Sequence, residues 1–233
     1  LQTLLILLVG VSCGLLLFMS LRKANRLAFE LIQEKVLTLV VSTAPRIDGD
    51  KVARLVEPDQ DGSPLYEEVA ASLRETLKAN GTGALPIRFL YLIRPLPDGT
   101  WEYVVDAETD PESKSNLGDL VEFNRPDEKP VLGETRVDRQ YARDSFGTWL
   151  SAFAPVKNAA GETVAMLGAD IAAHAPHGVI QIHADNAFAV ERSEEIAGLN
   201  ARARRRRAGG PVHADRDGAR GRAAQCQQRV DAG

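Results

Sequence analysis

The 233-residue sequence predicts an α+β domain: an antiparallel sheet covered by helices and reached through a long N-terminal helix. Three observations carry that prediction. Residues 1–21 hold no charged side chain at all. Apolar side chains recur at helical spacing over residues 21–44 and again over residues 64–79. From Ile87 onward the period falls to two, in two pairs of segments that each flank a turn. The order is long helix, short helix, helix, hairpin, long connection, hairpin. Strands and helices segregated in this way belong to an α+β layout.

The N-terminal segment, LQTLLILLVGVSCGLLLFMSL, would form a helix of about 32 Å, enough to cross a hydrocarbon core of ~30 Å. A secretory leader has a shorter apolar stretch, about 7–15 residues, before a small-residue cleavage site. Here the apolar run is longer and Arg22-Lys23 follow at once, so residues 1–21 are read as a retained transmembrane helix. Gly10-Val11-Ser12-Cys13 has a faint lipoprotein character, but the apolar run continues past Cys13. Arg22, Lys23 and Arg26 alone would place the following residues in the cytoplasm. The sequence starts at Leu1 rather than Met, so an opposing flank is expected to be missing, and charge leaves the side undecided.

Over residues 21–44, Leu27, Leu31 and Leu39 with Ala28, Ile32 and Val36 fall among Glu30, Gln33, Glu34 and Lys35. That pattern predicts a stalk helix entering a soluble domain, ended by Pro45. A short helix is expected after Asp48-Gly49-Asp50. Ser63 is a good N-cap, Pro64 suits the first helical position, and Glu67 and Glu68 complement the positive helix end. With Leu65, Val69, Leu73 and Leu77 repeating every four residues, residues 64–79 form an amphipathic helix that stops at Asn80-Gly81.

Ile87, Phe89, Tyr91 and Ile93 then alternate with Arg88, Leu90, Leu92 and Arg94, and Pro97-Asp98-Gly99 makes a turn. On the returning strand Trp101, Tyr103 and Val105 alternate with Glu102, Val104 and Asp106. A second hairpin joins residues 148–156 to residues 162–171 through Asn158-Ala159-Ala160-Gly161. The intervening residues 108–146 are rich in Asp, Glu, Pro, Ser and Asn. So long a connection is usually functional or mobile, and it is expected to lie over one face of the sheet with short helical pieces.

Composition sets the outer limits. With 44% hydrophobic and 26% charged residues the chain is not collagen-like, wholly disordered or a multi-span membrane protein. Its length allows one ordinary domain plus extras, or two small ones. The net charge of -4 conceals unlike parts: residues 22–200 carry an acidic excess of ten, while residues 201–233 carry nine Arg against three Asp. Cys13 and Cys226 build neither a disulfide framework nor a cysteine-based metal site.

The succession of RIDGDKVARLVEPDQDGSPLYEEVAASLRETLKAN, RFLYLIRPLPDGTWEYVVDAE and DSFGTWLSAFAPVKNAAGETVAMLGADI resembles the Cache family of extracytoplasmic sensor domains. The resemblance spans residues 20–172. It rests on the apolar helix running into a long one, the Tyr91 strand with its Asp98-Gly99 turn, Gly147-Thr148-Trp149-Leu150-Ser151 before Ala154-Pro155, and Gly168-Ala169-Asp170-Ile171. It implies a PAS-like antiparallel sheet, a periplasmic or extracellular domain on the bacterial inner membrane, and a small-molecule pocket between the sheet and residues 108–146. It also implies a role in bacterial receptors such as sensor histidine kinases, chemoreceptors and cyclic-dinucleotide enzymes, where a second membrane helix leads to an output domain.

The organisation expected is therefore a transmembrane helix at 1–21, a sensor domain at 22–172 and an atypical tail at 173–233. After Ile171 no uncharged run is long enough to span a membrane. The Arg run at 202–207 and the Arg, Ala and Gly around it have the composition of GC-rich DNA read out of frame, so the frame is expected to break near residues 172–200. The rival is a basic disordered arm that binds anionic lipid or nucleic acid. An extracytoplasmic setting argues against a nucleic-acid partner.

Candidate chemistry is sparse. His174, His177 and His183 do not share a helical face and have only Asp185 nearby, so no metal site is expected. Asp106, Glu108, Asp110 and Glu112 lack the spacing of a Ca²⁺ loop. Ser145 and Ser151 lack a nucleophile-elbow setting, and no phosphate-binding glycine loop is present. No cofactor is expected and no catalytic residue is assigned. The pocket candidates are Tyr91, Tyr103 and Trp149, with Ser151, Asp106 and Asp170. Asp106 or Asp170 would hold a ligand ammonium; Arg88, Arg94 or Arg143 would pair with a carboxylate. The expected function is small-molecule sensing by a receptor part detached from its output domain, with homodimer pairing through the stalk at 21–44. The alternatives are a membrane-anchored interaction module bound through residues 108–146 and a tethered enzyme using Asp106 or Asp170.

Overall fold

In the computed structural model, residues 2–83, 85–123, 125–143, 147–172 and 200 are described. Helix α1 (Gln2–Thr43) runs unbroken through the apolar segment and the stalk. Its described residues before Phe29 are all exposed, and it is long and apolar enough to cross a membrane. Farther along, Val36, Leu39, Val40 and Thr43 recur at intervals of three and four, so one stripe docks on the sheet. A 3-10 turn with Pro45 at its start ends the helix, because proline offers no N–H to continue it.

Helix α2 (Gly49–Ala53) is capped by the Asp48 carboxylate, which accepts the Lys51 N–H at 3.1 Å. Gly49 must be glycine, since a Cβ there would lie 2.2 Å from the Lys157 carbonyl oxygen. Helix α3 (Pro64–Asn80) begins as its sequence predicts, with Ser63 Oγ accepting the Tyr66 N–H at 3.2 Å.

The first hairpin is β1 (Ile87–Pro95) and β2 (Trp101–Asp106); the second is β5 (Thr148–Lys157) and β6 (Thr163–Ala172). Two further strands escaped the sequence reading: β3 (Arg136–Val137) and β4 (Ala142–Arg143), both paired with β5. At two residues each they are too short to carry an alternating pattern. The antiparallel sheet runs β2-β1-β6-β5-β3. The α+β class with helices over an antiparallel sheet is therefore the observed architecture.

One face meets α1, α2 and α3 in an apolar core that includes Leu90, Leu92, Leu150, Leu167 and Ile171 from the strands. The other face carries Phe89, Tyr91, Ile93, Trp101, Tyr103, Phe153 and Met166. Two register breaks correct the expected parity. One lies between Ile87 and Phe89, and it sends Ile87 to the helix side rather than to the face of Tyr91. The other faces β2: Leu92 pairs Val105 while Ile93 pairs Tyr103, so Val104 is the extra residue of a bulge. Strict alternation puts Asp106 on the face opposite Tyr103. The bulge brings both to the same one, with Asp106 directly across from Tyr91.

Residues 107–143 cover this second face and are fastened at both sheet edges. On the β2 edge, the Tyr103 N–H donates to Asp119 O, the Gly118 N–H to Tyr103 O and the Val121 N–H to Trp101 O, each at 2.8 Å. On the other edge β3 and β4 pair with β5. The segment holds one short 3-10 piece, Pro126–Glu128, as well as the two unforeseen strands. The atypical tail at 173–233 lies outside the described residues apart from Asn200, whose amide both donates to and accepts from the Leu120 backbone.

Candidate ligand-binding cleft

Period-two geometry builds the floor of the cleft. Trp149, Ser151 and Phe153 project from β5 to the same face, while Leu150, Ala152 and Ala154 join the helix-side core. On β6 that face presents Met166, Gly168 and Asp170. Asp170 stands between its partners Phe89 on β1 and Ser151 on β5. Gly168 pairs with both Tyr91 and Phe153. A Cβ there would come within 2.4 Å of Tyr91 Cε2, so glycine is what lets the Tyr91 ring lie across β6.

Between floor and cover lies a cleft lined by Tyr91, Tyr103, Trp149, Ser151 and Asp170 from the sheet and by Glu122, Asp138 and Arg143 from the cover, among others. Its empty space, mouth included, is about 470 Å³, but the cavity volume proper is only about 50 Å³, room for a water or two. A smaller neighbouring recess is lined by Phe89, Tyr91, Tyr103, Asp106, Ser113, Ser115 and Asp170. Tyr91, Tyr103 and Asp170 border both. A ligand larger than water must therefore lift the cover or merge the two spaces.

Within the cleft the Tyr91 hydroxyl donates to Asp170 Oδ1 at 3.1 Å. The Tyr91 and Tyr103 rings meet edge-on at 5.4 Å, as do Phe89 and Trp149 at 5.0 Å. Such walls offer π faces to a cation or an apolar group. Asp106 is 4% exposed, and both its oxygens are engaged by backbone: Oδ1 accepts the Glu108 N–H at 2.9 Å and Oδ2 the Ser115 N–H at 2.8 Å. Burial outweighs these bonds and pushes the carboxyl up to about 6. Asp138, 2% exposed, is likewise raised to about 6, because burial outweighs the Arg136 guanidinium 2.5 Å from Oδ1.

The six residues singled out from sequence thus lie on one face, five around the larger cleft and Asp106 in the adjoining recess. The three arginines part company. Arg143 lines the cleft, whereas Arg88 pairs with Glu108 at 2.5 Å, and Arg94 pairs with Glu102 and donates to the Leu55 carbonyl. Arg88 and Arg94 are thereby removed as carboxylate partners, each being committed to a neighbouring strand or loop. Of the acidic loop, Asp106 and Asp110 cap their own turns and Glu108 accepts the Thr109 and Asp110 N–H groups. Ser145 and the His174, His177 and His183 group lie outside the described residues.

Sequence reasoning missed Phe89 and Phe153, although both stand in phase with the residues it chose, and period two would have found them. It also missed Glu122, Glu128 and Asp138, which lie in aperiodic chain and reach the cleft only through the path of the cover.

No protein-family model matches the chain, and no curated protein matches it. Among solved structures the chain is similar to the ligand-binding domain of the Campylobacter jejuni chemoreceptor Tlp3 in complex with L-valine, at 13% identity and a TM-score of 0.38. That similarity covers 64% of this chain and 56% of the chemoreceptor chain, so it spans little more than half the length of that neighbour.

Proposed function

We propose that this chain is the small-molecule-sensing domain of a bacterial membrane-bound receptor of the Cache type. In this reading α1 anchors it in the inner membrane and the sheet domain stands on the periplasmic or extracellular side. The observation that carries the proposal is the cleft itself: aromatic walls and a buried carboxylate on the sheet, faced by Glu122, Asp138 and Arg143 on a cover fastened at its edges. Asp170, oriented by the Tyr91 hydroxyl, suits a ligand ammonium; Arg143 suits a carboxylate. Tyr91, Tyr103, Trp149 and Ser151 would complete the contact, and Asp106 would close the recess beside them.

Sensing then works by differential affinity. A ligand that touches both floor and cover favours one arrangement of the two over another. Moving a 1:99 balance to 99:1 takes about 5.5 kcal/mol of such difference, which demands a ligand buried against both layers. Pairing of two copies through the exposed Leu27, Leu31 and Val41 of α1 belongs to the same proposal. For the enzymatic alternative, Asp106 gains no support, since backbone donors occupy both of its oxygens.

The test is a thermal-shift screen of the full chain in lipid nanodiscs against amino acids, amines and short carboxylic acids. One class should raise the melting temperature, by about 2.7 kcal/mol of linked stabilisation at a hundred times its Kd. Asp170→Asn should abolish the response to amines and Arg143→Ala the response to carboxylates. A panel that shifts nothing removes the sensing reading.

A further inference from the structure

Asp138 stands where the cleft meets the stalk. It lines the cleft, follows β3 directly, and gives its N–H to the carbonyl of Ser151, another cleft residue, at 2.9 Å. The carbonyl of the same residue accepts Nε2 of Gln33 from α1 at 2.6 Å. Three residues on, Tyr141 packs edge-on against Phe29 of α1 with ring centroids 5.3 Å apart. Phe29 and Gln33 are one helical turn apart and so share a face. They also lie on the membrane side of Val36, the first buried residue of α1, while every described residue before Phe29 is exposed. Residues 138–141 therefore grip α1 at the point where it leaves the domain.

From this geometry we propose that residues 136–141 relay the state of the cleft to α1, with Asp138 as the positioning residue. The amide and carbonyl of Asp138 bind β5 and α1 respectively, so a shift of Asp138 against Ser151 alters its hold on Gln33. Strand β3 is only two residues long, which makes it the weakest ladder in the sheet and the natural place for such a shift. An occupant that lifts the cover moves Asp138 and Tyr141 together, and α1 loses or gains contacts at two positions on one face. The trigger rests on the cleft being a ligand site, but the relay is testable without the natural ligand.

The experiment places a tethered occupant in the cleft of the full chain in lipid nanodiscs. Cys13 and Cys226 are replaced by Ser, and the Ser151→Cys variant is treated with 2-aminoethyl methanethiosulfonate. The introduced thiolate attacks the reagent's sulfenyl sulfur, an S–S bond forms to the aminoethanethiol group, and methanesulfinate leaves. Intact mass confirms one adduct, and a thermal melt confirms folding. Amide hydrogen exchange over residues 25–36 is the readout, and it should change by about threefold or more on modification. With Gln33→Ala and Phe29→Ala added, the same adduct should leave those amides unchanged.

Ala142→Cys, on β4 and also lining the cleft, repeats the test from the cover side. Exchange unaltered by adducts at both positions overturns the relay, as does a change that survives loss of Gln33 and Phe29. If neither introduced thiol reacts in the folded chain, the cleft admits no occupant and the proposal falls. A relay response beside a blank metabolite screen would keep the relay and discard the ligand reading alone.

Discussion

The two faces of the sheet are made by the same strands and serve opposite ends. On the helix side, Leu90, Leu92, Leu150, Leu167 and Ile171 meet the apolar stripes of α1, α2 and α3, with Ala152, Ala154, Ala165 and Ala169 letting the helices come close. On the cleft side β1, β2 and β5 present aromatic rings, and Asp106, Ser151 and Asp170 stand among them. A buried carboxylate costs free energy unless it is bonded. The cleft face carries that cost, and the helix face supplies the stability that offsets it. Separating the two lets the cleft hold polar groups and a shifting cover without loosening the core.

The sharpest way to break this division is from the helix side. Leu150→Ala, at a fully buried position, should cost about 3 kcal/mol or more in urea denaturation. A loss under about 1 kcal/mol would mean that the helix face is not the source of stability.

The next effect is one of pH. The Asp106 carboxyl is raised from its ordinary 3.8 to about 6, so the folded state holds this proton more tightly than the unfolded chain does. Its stabilising contribution is full below about pH 4 and is lost as pH rises through about 6, a swing of about 3 kcal/mol. Asp106→Asn abolishes that swing while setting an amide NH₂ against a backbone donor. Relative to wild type, the variant should be weakest at about pH 4 and recover by up to that amount at about pH 7. Parallel stability curves for the two proteins would contradict the buried-acid assignment.

The smallest effect sharpens the contrast instead of breaking it. Gly168→Ala drives a methyl into the Tyr91 ring and should cost about 1–2 kcal/mol of stability. The ring, with its hydroxyl on Asp170, must swing aside, so any ligand found by the thermal-shift screen should lose affinity out of proportion to the stability lost. Unchanged affinity would place the ligand away from Tyr91.

Much of this fold is written locally. Ser63 with Pro64, the four-residue leucine repeat of α3 and the two turn-centred hairpins are short-range signals, and the structure follows them within a residue or so. What escaped depends on pairing. The bulge at Val104 reverses the parity of Asp106, and nothing within WEYVVD marks it; only the register with Leu92 and Ile93 does. Strands β3 and β4 exist because β5 offers an open edge, not because two residues prefer extension. Asp138 is the clearest loss: a buried cleft residue in chain with no period, placed by contacts with Ser151 and Gln33 that are distant in sequence.

That α1 continues without interruption from Gln2 to Thr43 has a mechanical consequence. At about 1.5 Å per residue, Phe29 lies about 10 Å from Val36, where burial begins, and Gln2 lies about 50 Å from it. The helix is then a lever with unequal arms and its fulcrum at the rim of the core. A sideways displacement of about 1 Å at Phe29 becomes about 5 Å at the far end. A ring contact and one hydrogen bond, displaced by less than an atomic diameter, would be read across a bilayer as a change of tilt.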